Sequence, residues 1–151
     1  MATGAQRLGA ATLAAAALAA PFEGLRQYAY RDPVGIPTIC FGSTRGVQMG
    51  DFKTKAECDA LLTAEMAQAI STVERCVPGL PVNMLAAWGS AVYNVGPALV
   101  CDQRRSTAAR LLAAGRLLEA CDQLPRWNQA KGFVLPGLTK RRAAEQEVCR
   151  A

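Results

Sequence analysis

One stretch constrains this chain more than any other: Phe22 to Thr44, FEGLRQYAYRDPVGIPTICFGST. A carboxylate, Glu23, stands just after an alanine-rich apolar run. Asp32 follows nine residues later, and Thr38 six after that. Tyr28, Ala29 and Tyr30 read as a strand, Asp32-Pro33-Val34-Gly35 is turn chemistry, and Ile36 to Phe41 resumes a β-rich run. The hairpin so formed brings Asp32 and Thr38 to face Glu23 across a cleft. Two carboxylates in unlike environments, one neutral and one charged, are what general acid–base cleavage of a glycosidic bond needs. An arbitrary Glu–Asp pair is more often solvated surface charge. The spacing and the flanking residues therefore carry the argument.

Composition removes several competing chemistries. The chain has no histidine, which rules out Ser-His-Asp and Cys-His catalysis and any catalytic zinc held by histidine. No metal site and no cofactor are expected. A carboxylate-driven reaction survives this filter. At 151 residues, half of them hydrophobic, the chain is one domain or two small lobes sharing a real core. Six cysteines (Cys40, Cys58, Cys76, Cys101, Cys121 and Cys149) point to an oxidising compartment. They are spread singly, with no C-x-x-C, which disfavours a zinc ribbon or a thioredoxin-like site. Six cysteines allow fifteen connectivities.

The order E-G-L-R, Tyr, Asp, Gly, then T-I-x-x-G, with those two spacings, resembles the phage-type lysozymes, the endolysins of glycoside hydrolase family 24. Further matching motifs follow in order: VYNVG at 92–96, RRSTAARLLAAG at 104–115, EACDQLPRW at 119–127 and PGLTKRRAAEQEVC at 136–149. The resemblance runs from about residue 22 onward and is greatest to endolysins of lambdoid phages. It implies an α+β fold, mostly helical and lysozyme-like, in which a small antiparallel β lobe and a helical lobe flank an active-site cleft. The boundaries expected are a segment at 1–22 and a catalytic domain at 23–151, with its β lobe near 24–52 and helical lobe near 53–151.

The activity implied is that of a muramidase cutting the β-1,4 bond between N-acetylmuramic acid and N-acetylglucosamine. Glu23 is then the general acid, which must keep its proton near neutral pH and so needs partial burial. Asp32 activates or orients water, and Thr38 holds the same water. The family inverts, which requires carboxyl groups ~6.5–9.5 Å apart. Tyr30, Asn94 and Trp127 are candidate substrate contacts. Tyr93 and Asn94 also fit core packing and capping, and Trp127-Asn128-Gln129 resembles the family's Trp-x-Asn-Gln stretch without its intervening residue. Arg141 or Arg142 reaches Glu23, or else both lie on a solvated basic helix face. The competing class is a disulfide-stapled wall-binding protein without catalysis. An intact Glu, Asp and Thr set argues against it.

The net charge of +5 suits peptidoglycan, with its peptide carboxylates, as the partner. No basic–aromatic nucleic-acid motif is present, and nucleic acid is not an expected partner. The protein is expected to act as a monomer. Order along the chain, together with the cysteine positions of related endolysins, suggests the pairs Cys40–Cys58, Cys76–Cys101 and Cys121–Cys149.

Residues 8–20, LGAATLAAAALAA, follow Arg7, and Pro21 is expected to end them. The run has three readings: a signal-anchor-release segment, as the resemblance offers, an ordinary buried helix, or a cleaved signal. The first implies export to the host periplasm with transient inner-membrane association through 8–20, then release. Cleavage after Ala20 would leave Glu23 almost at the new N-terminus. Farther on, Thr54-Lys55-Ala56-Glu57 is a capping box opening a helix to about Val77. Ala56, Ala60, Leu61, Ala64, Ala67 and Ile70 stand at helical spacing on it. Helices are also expected at about 83–95, from Ser106 to Ala114, at 117–124 and at 138–149.

Overall fold

The computed structural model describes residues 3–151. Residues 1 and 2, the start of the expected 1–22 segment, lie outside the described residues. The first helix, α1 (Gly4–Glu23), opens with a reciprocal cap between Thr3 and Gln6. It does not stop at Pro21, which sits in its last turn. Proline forfeits one backbone hydrogen bond, but the carbonyl left over is that of exposed Ala17, where water can serve it. Gly24 then takes φ +71°, a left-handed conformation that only glycine adopts freely, and turns the chain straight into the β lobe.

That lobe is a short antiparallel pair, β1 (Arg26–Arg31) and β2 (Pro37–Cys40). Its register sets Tyr30 opposite Thr38 and Arg26 opposite Cys40, with a bulge between. An isolated bridge ties Tyr28 to Phe52, whose rings lie 4.8 Å apart.

Helix α2 (Lys55–Cys76) begins at the Thr54–Glu57 capping box. Its buried face is Cys58, Leu62, Met66, Ala69, Ile70 and Val73. The alanine stripe expected to face the core is mostly on the other side: Ala56, Ala60, Ala64 and Ala67 are exposed. Both stripes have helical spacing. The larger side chains bury more apolar area per position and decide the rotation.

Helix α3 (Val82–Val95) is the centre of the molecule. Every residue from Met84 to Val92 is buried, as befits a helix apolar all round. Helices α1, α2 and α7 (Pro136–Arg150) pack on it. The α1 contact uses small side chains, Ala11, Thr12, Ala15, Ala16 and Ala19, so the two backbones approach closely. Gly89 of α3 lies between α1 and α2. A Cβ there would lie 2.4 Å from Ile70 Cδ1 of α2 and 3.8 Å from Ala15 Cβ of α1.

The short helices α4 (Ala98–Cys101), α5 (Thr107–Ala113) and α6 (Leu117–Cys121) complete the helical lobe. The segment expected as one helix at 117–124 divides instead into α6 and a 3-10 turn at Leu124–Arg126: beyond Cys121 the amides of Asp122 and Gln123 bond three residues back, to Glu119 and Ala120. A two-residue hairpin, β3 (Gln129–Ala130) and β4 (Phe133–Val134), leads into α7. Disulfides join Cys40 to Cys58, Cys76 to Cys101 and Cys121 to Cys149.

Candidate active site

Glu23 is the last residue of α1, and its position there depends on α7. Arg141 of α7 donates from Nη1 to Glu23 Oε1, an ion pair in which the arginine side chain is only 3% exposed and the glutamate 18%. The other oxygen, Oε2, faces the loop after β2: a Cβ added to Gly42 would stand 3.9 Å from it. Gly42 has φ +106°, so the loop passes the carboxyl as bare backbone.

Behind this pair lies a buried charge cluster. Ser90 Oγ of α3 donates to Glu145 Oε2 at 2.6 Å, Arg141 Nε donates to the same oxygen at 3.3 Å, and Arg141 Nη2 donates to the Ser90 carbonyl at 3.1 Å. Arg142 Nε lies 2.7 Å from Glu145 Oε1, close enough for charge attraction although its N–H is not aimed at that oxygen. Burial pushes the Glu145 carboxyl upward against the pull of Arg142, Ser90 and Arg141. Burial likewise pulls the Arg142 guanidinium down. Neither arginine lies on a solvated basic face: both are buried, and Lys140 alone of that triplet is exposed. Arg141 is the one that holds Glu23. Arg142 instead donates from Nη2 to Asn94 Oδ1 at 2.7 Å.

Asp32 and Thr38 meet in the β1–β2 hairpin. Asp32 Oδ1 accepts from the amides of Val34 and Ile36, both at 2.9 Å. The Ile36 carbonyl accepts from Asp32 N at 3.0 Å and from the buried Thr38 hydroxyl at 2.9 Å. Tyr30, across from Thr38, carries the Arg26 guanidinium 4.2 Å above its ring. None of these three lines a cavity that Glu23 lines.

Glu23 opens into two cavities, one of 280 Å³ shared with Gly42, Glu65 and Tyr93, and one of 330 Å³ shared with Phe22, Leu138 and Arg141. Asn94 lines both, and it also lines a third cavity of 740 Å³ with Trp127, Arg105 and Arg126. On the opposite side, a 530 Å³ groove runs between α2 and the Ser43–Arg45 turn. Glu65 spans it, accepting from Ser43 Oγ at 2.5 Å and from the Tyr93 hydroxyl at 3.2 Å. Burial, then the charges of Glu65 and Glu23, hold the Tyr93 phenol well above its ordinary value of 10.0. It is therefore a permanent donor. The arrangement is a set of cavities about Glu23 and Asn94 that together form the candidate cleft, with Glu65 as a second carboxyl and polar hydrogen-bonding groups on their walls.

Residues 20–145 match the model of the phage lysozyme family. The chain belongs to that family. It is 38% identical to the SAR-endolysin of Enterobacteria phage P21 over 84% of this chain and 76% of that one. The muramidase domain of SpmX from Asticaccaulis excentricus superposes with TM-score 0.82 at 30% identity, covering 91% and 95% of the two chains. The active form of P1 phage endolysin Lyz gives 0.73 at 29% identity over 90% and 82%. Against the secreted inactive form of that endolysin the value is 0.54, at 25% identity over 70% and 74%.

In this phage lysozyme the surroundings of Glu23 and of its partner Arg141 include residues that the motif does not display. Glu65, Ser90 and Glu145 come from elements remote in sequence. One of them had a readable signal: Arg141, Arg142 and Glu145 stand three and four residues apart on α7, a spacing that stacks charges on one helix face.

Proposed function

We propose that this chain is a phage endolysin that hydrolyses the β-1,4 bond between N-acetylmuramic acid and N-acetylglucosamine in peptidoglycan. The observation that carries the reading is Glu23 itself: a largely buried carboxyl, oriented by Arg141 through one oxygen, that lines two cavities also lined by Asn94. Glu23 gives its proton to the leaving glycosidic oxygen. Asp32, fixed in the hairpin turn, and Thr38 beside it prepare the attacking water, which an inverting reaction accommodates between carboxyls ~6.5–9.5 Å apart. Trp127 and Asn94 contact the sugar. Residues 1–22 form a release segment ahead of the catalytic domain at 23–151, and the protein reaches the periplasm tethered by α1 before that helix packs on α3. No helix among the described residues is both long and apolar enough to cross a membrane, and alanine gains little on insertion into a bilayer.

Glu23→Gln tests this. It should keep the fold and lower the release of reducing ends from peptidoglycan by ~10²–10⁴, with Asp32→Asn comparably damaging. A folded Glu23→Gln protein working within a few-fold of wild type would defeat the assignment.

A further inference from the structure

We infer that Arg142 is a positioning residue that fixes Asn94 as a hydrogen-bond donor for the carbonyl oxygen of an N-acetyl group on the bound sugar. The inference rests on the glycan-cleaving reading above. Among the described residues, Asn94 alone borders the 280, 330 and 740 Å³ cavities together, at the end of α3 and beside Glu23. A side-chain amide can ordinarily present either its oxygen or its nitrogen to a ligand. Here it cannot. The Arg142 guanidinium is fully buried and carries only donors, so the atom it meets at 2.7 Å must be Oδ1.

With the oxygen pinned inward, Nδ2 is the atom left for the cleft, and it makes no hydrogen bond within the described residues. A sugar hydroxyl both gives and accepts, and would be read by either edge of an amide. An N-acetyl carbonyl only accepts. Locking the amide is therefore of use chiefly against the carbonyl. The methyl group that accompanies such a carbonyl has an apolar place to go: Leu135 and Leu138 share both the 330 and the 740 Å³ cavities with Asn94.

The experiment uses the catalytically silent Glu23→Gln protein and two neutral trisaccharides, tri-N-acetylchitotriose and cellotriose, with affinities read by calorimetry. The N-acetylated sugar should bind about tenfold tighter or more, the worth of one such hydrogen bond. Adding Asn94→Asp keeps the acceptor that Arg142 needs and removes the donor. It should weaken the N-acetylated sugar by about tenfold and leave cellotriose within about twofold. Arg142→Met frees the amide to turn and should erode the same preference. Should that variant fail to fold, Asn94→Asp decides alone. Equal loss on both sugars, unchanged selectivity, or no binding of either overturns the proposal. Failure of the wild type to release reducing ends from peptidoglycan would instead defeat the muramidase reading.

Discussion

Arg141 shows how one side chain joins the candidate site to the core. It satisfies Glu23 at the cleft and Glu145 and Ser90 in the core with a single planar fork. Replacing it with methionine leaves Glu23 without its cation and the fully buried Glu145 with Arg142 alone. Removing one partner from a buried pair costs about 3–5 kcal/mol, and urea denaturation of Arg141→Met should show a loss of that order. Tyr93 gives a pH signature. Its folded phenol holds its proton above the ordinary 10.0, whereas the unfolded chain releases it there. Stability from this group is thus complete below pH 10 and lost as pH rises through the folded value. Tyr93→Phe should remove a one-proton slope from the alkaline melting curve, read as the difference from wild type. Glu23, Asp32 and Thr38 could be picked out as candidates because turn chemistry and spacing are local. Glu65 and Ser90 were not, since a half-buried carboxylate and a buried serine look like any others until distant helices are brought together.

At the level of elements, capping residues announced α2 and α5 clearly, at Thr54 and Ser106. Rotation was harder. Two stripes of apolar residues on α2 had helical spacing, and only packing against α3 selected the bulkier one. The short α4 and the β3–β4 hairpin left no periodic trace, being too brief to repeat. The tightest interlock is the meeting of α1, α2 and α3 at Gly89. An added methyl there would run into Ile70 Cδ1 at 2.4 Å, within a side chain that is itself buried. Gly89→Ala should therefore cost about 1–3 kcal/mol through overpacking. Combining it with Ile70→Val, which removes the clashing carbon, should recover part of that loss, a coupling that a double-mutant cycle would measure.

For the molecule as a whole, the open question at the sequence level was residues 8–20, and the structure determines how to test it. Ala15 and Ala16 are buried against α3, so leucines there would damage the folded enzyme whatever the membrane does. Ala10, Ala14 and Ala17 are exposed. Leucine at these three should deepen the bilayer state by roughly 0.3–0.6 kcal/mol or more per position while sparing the core. The variant should fractionate with the inner membrane in a Gram-negative host while wild type becomes soluble and lytic. Identical partitioning of the two would remove the release hypothesis.

The Glu23–Arg141 pair spans 118 residues of sequence. Its partners lie on the first and the last helices of the described structure, so the Glu23 carboxyl takes this orientation only after α7 has been synthesised and docked. A ribosome-bound chain still lacking that helix carries Glu23, Asp32 and Thr38 but not the guanidinium that meets Glu23. Completeness of translation is thereby written into the candidate site: a truncated product, however well its β lobe forms, lacks the partner that orients Glu23.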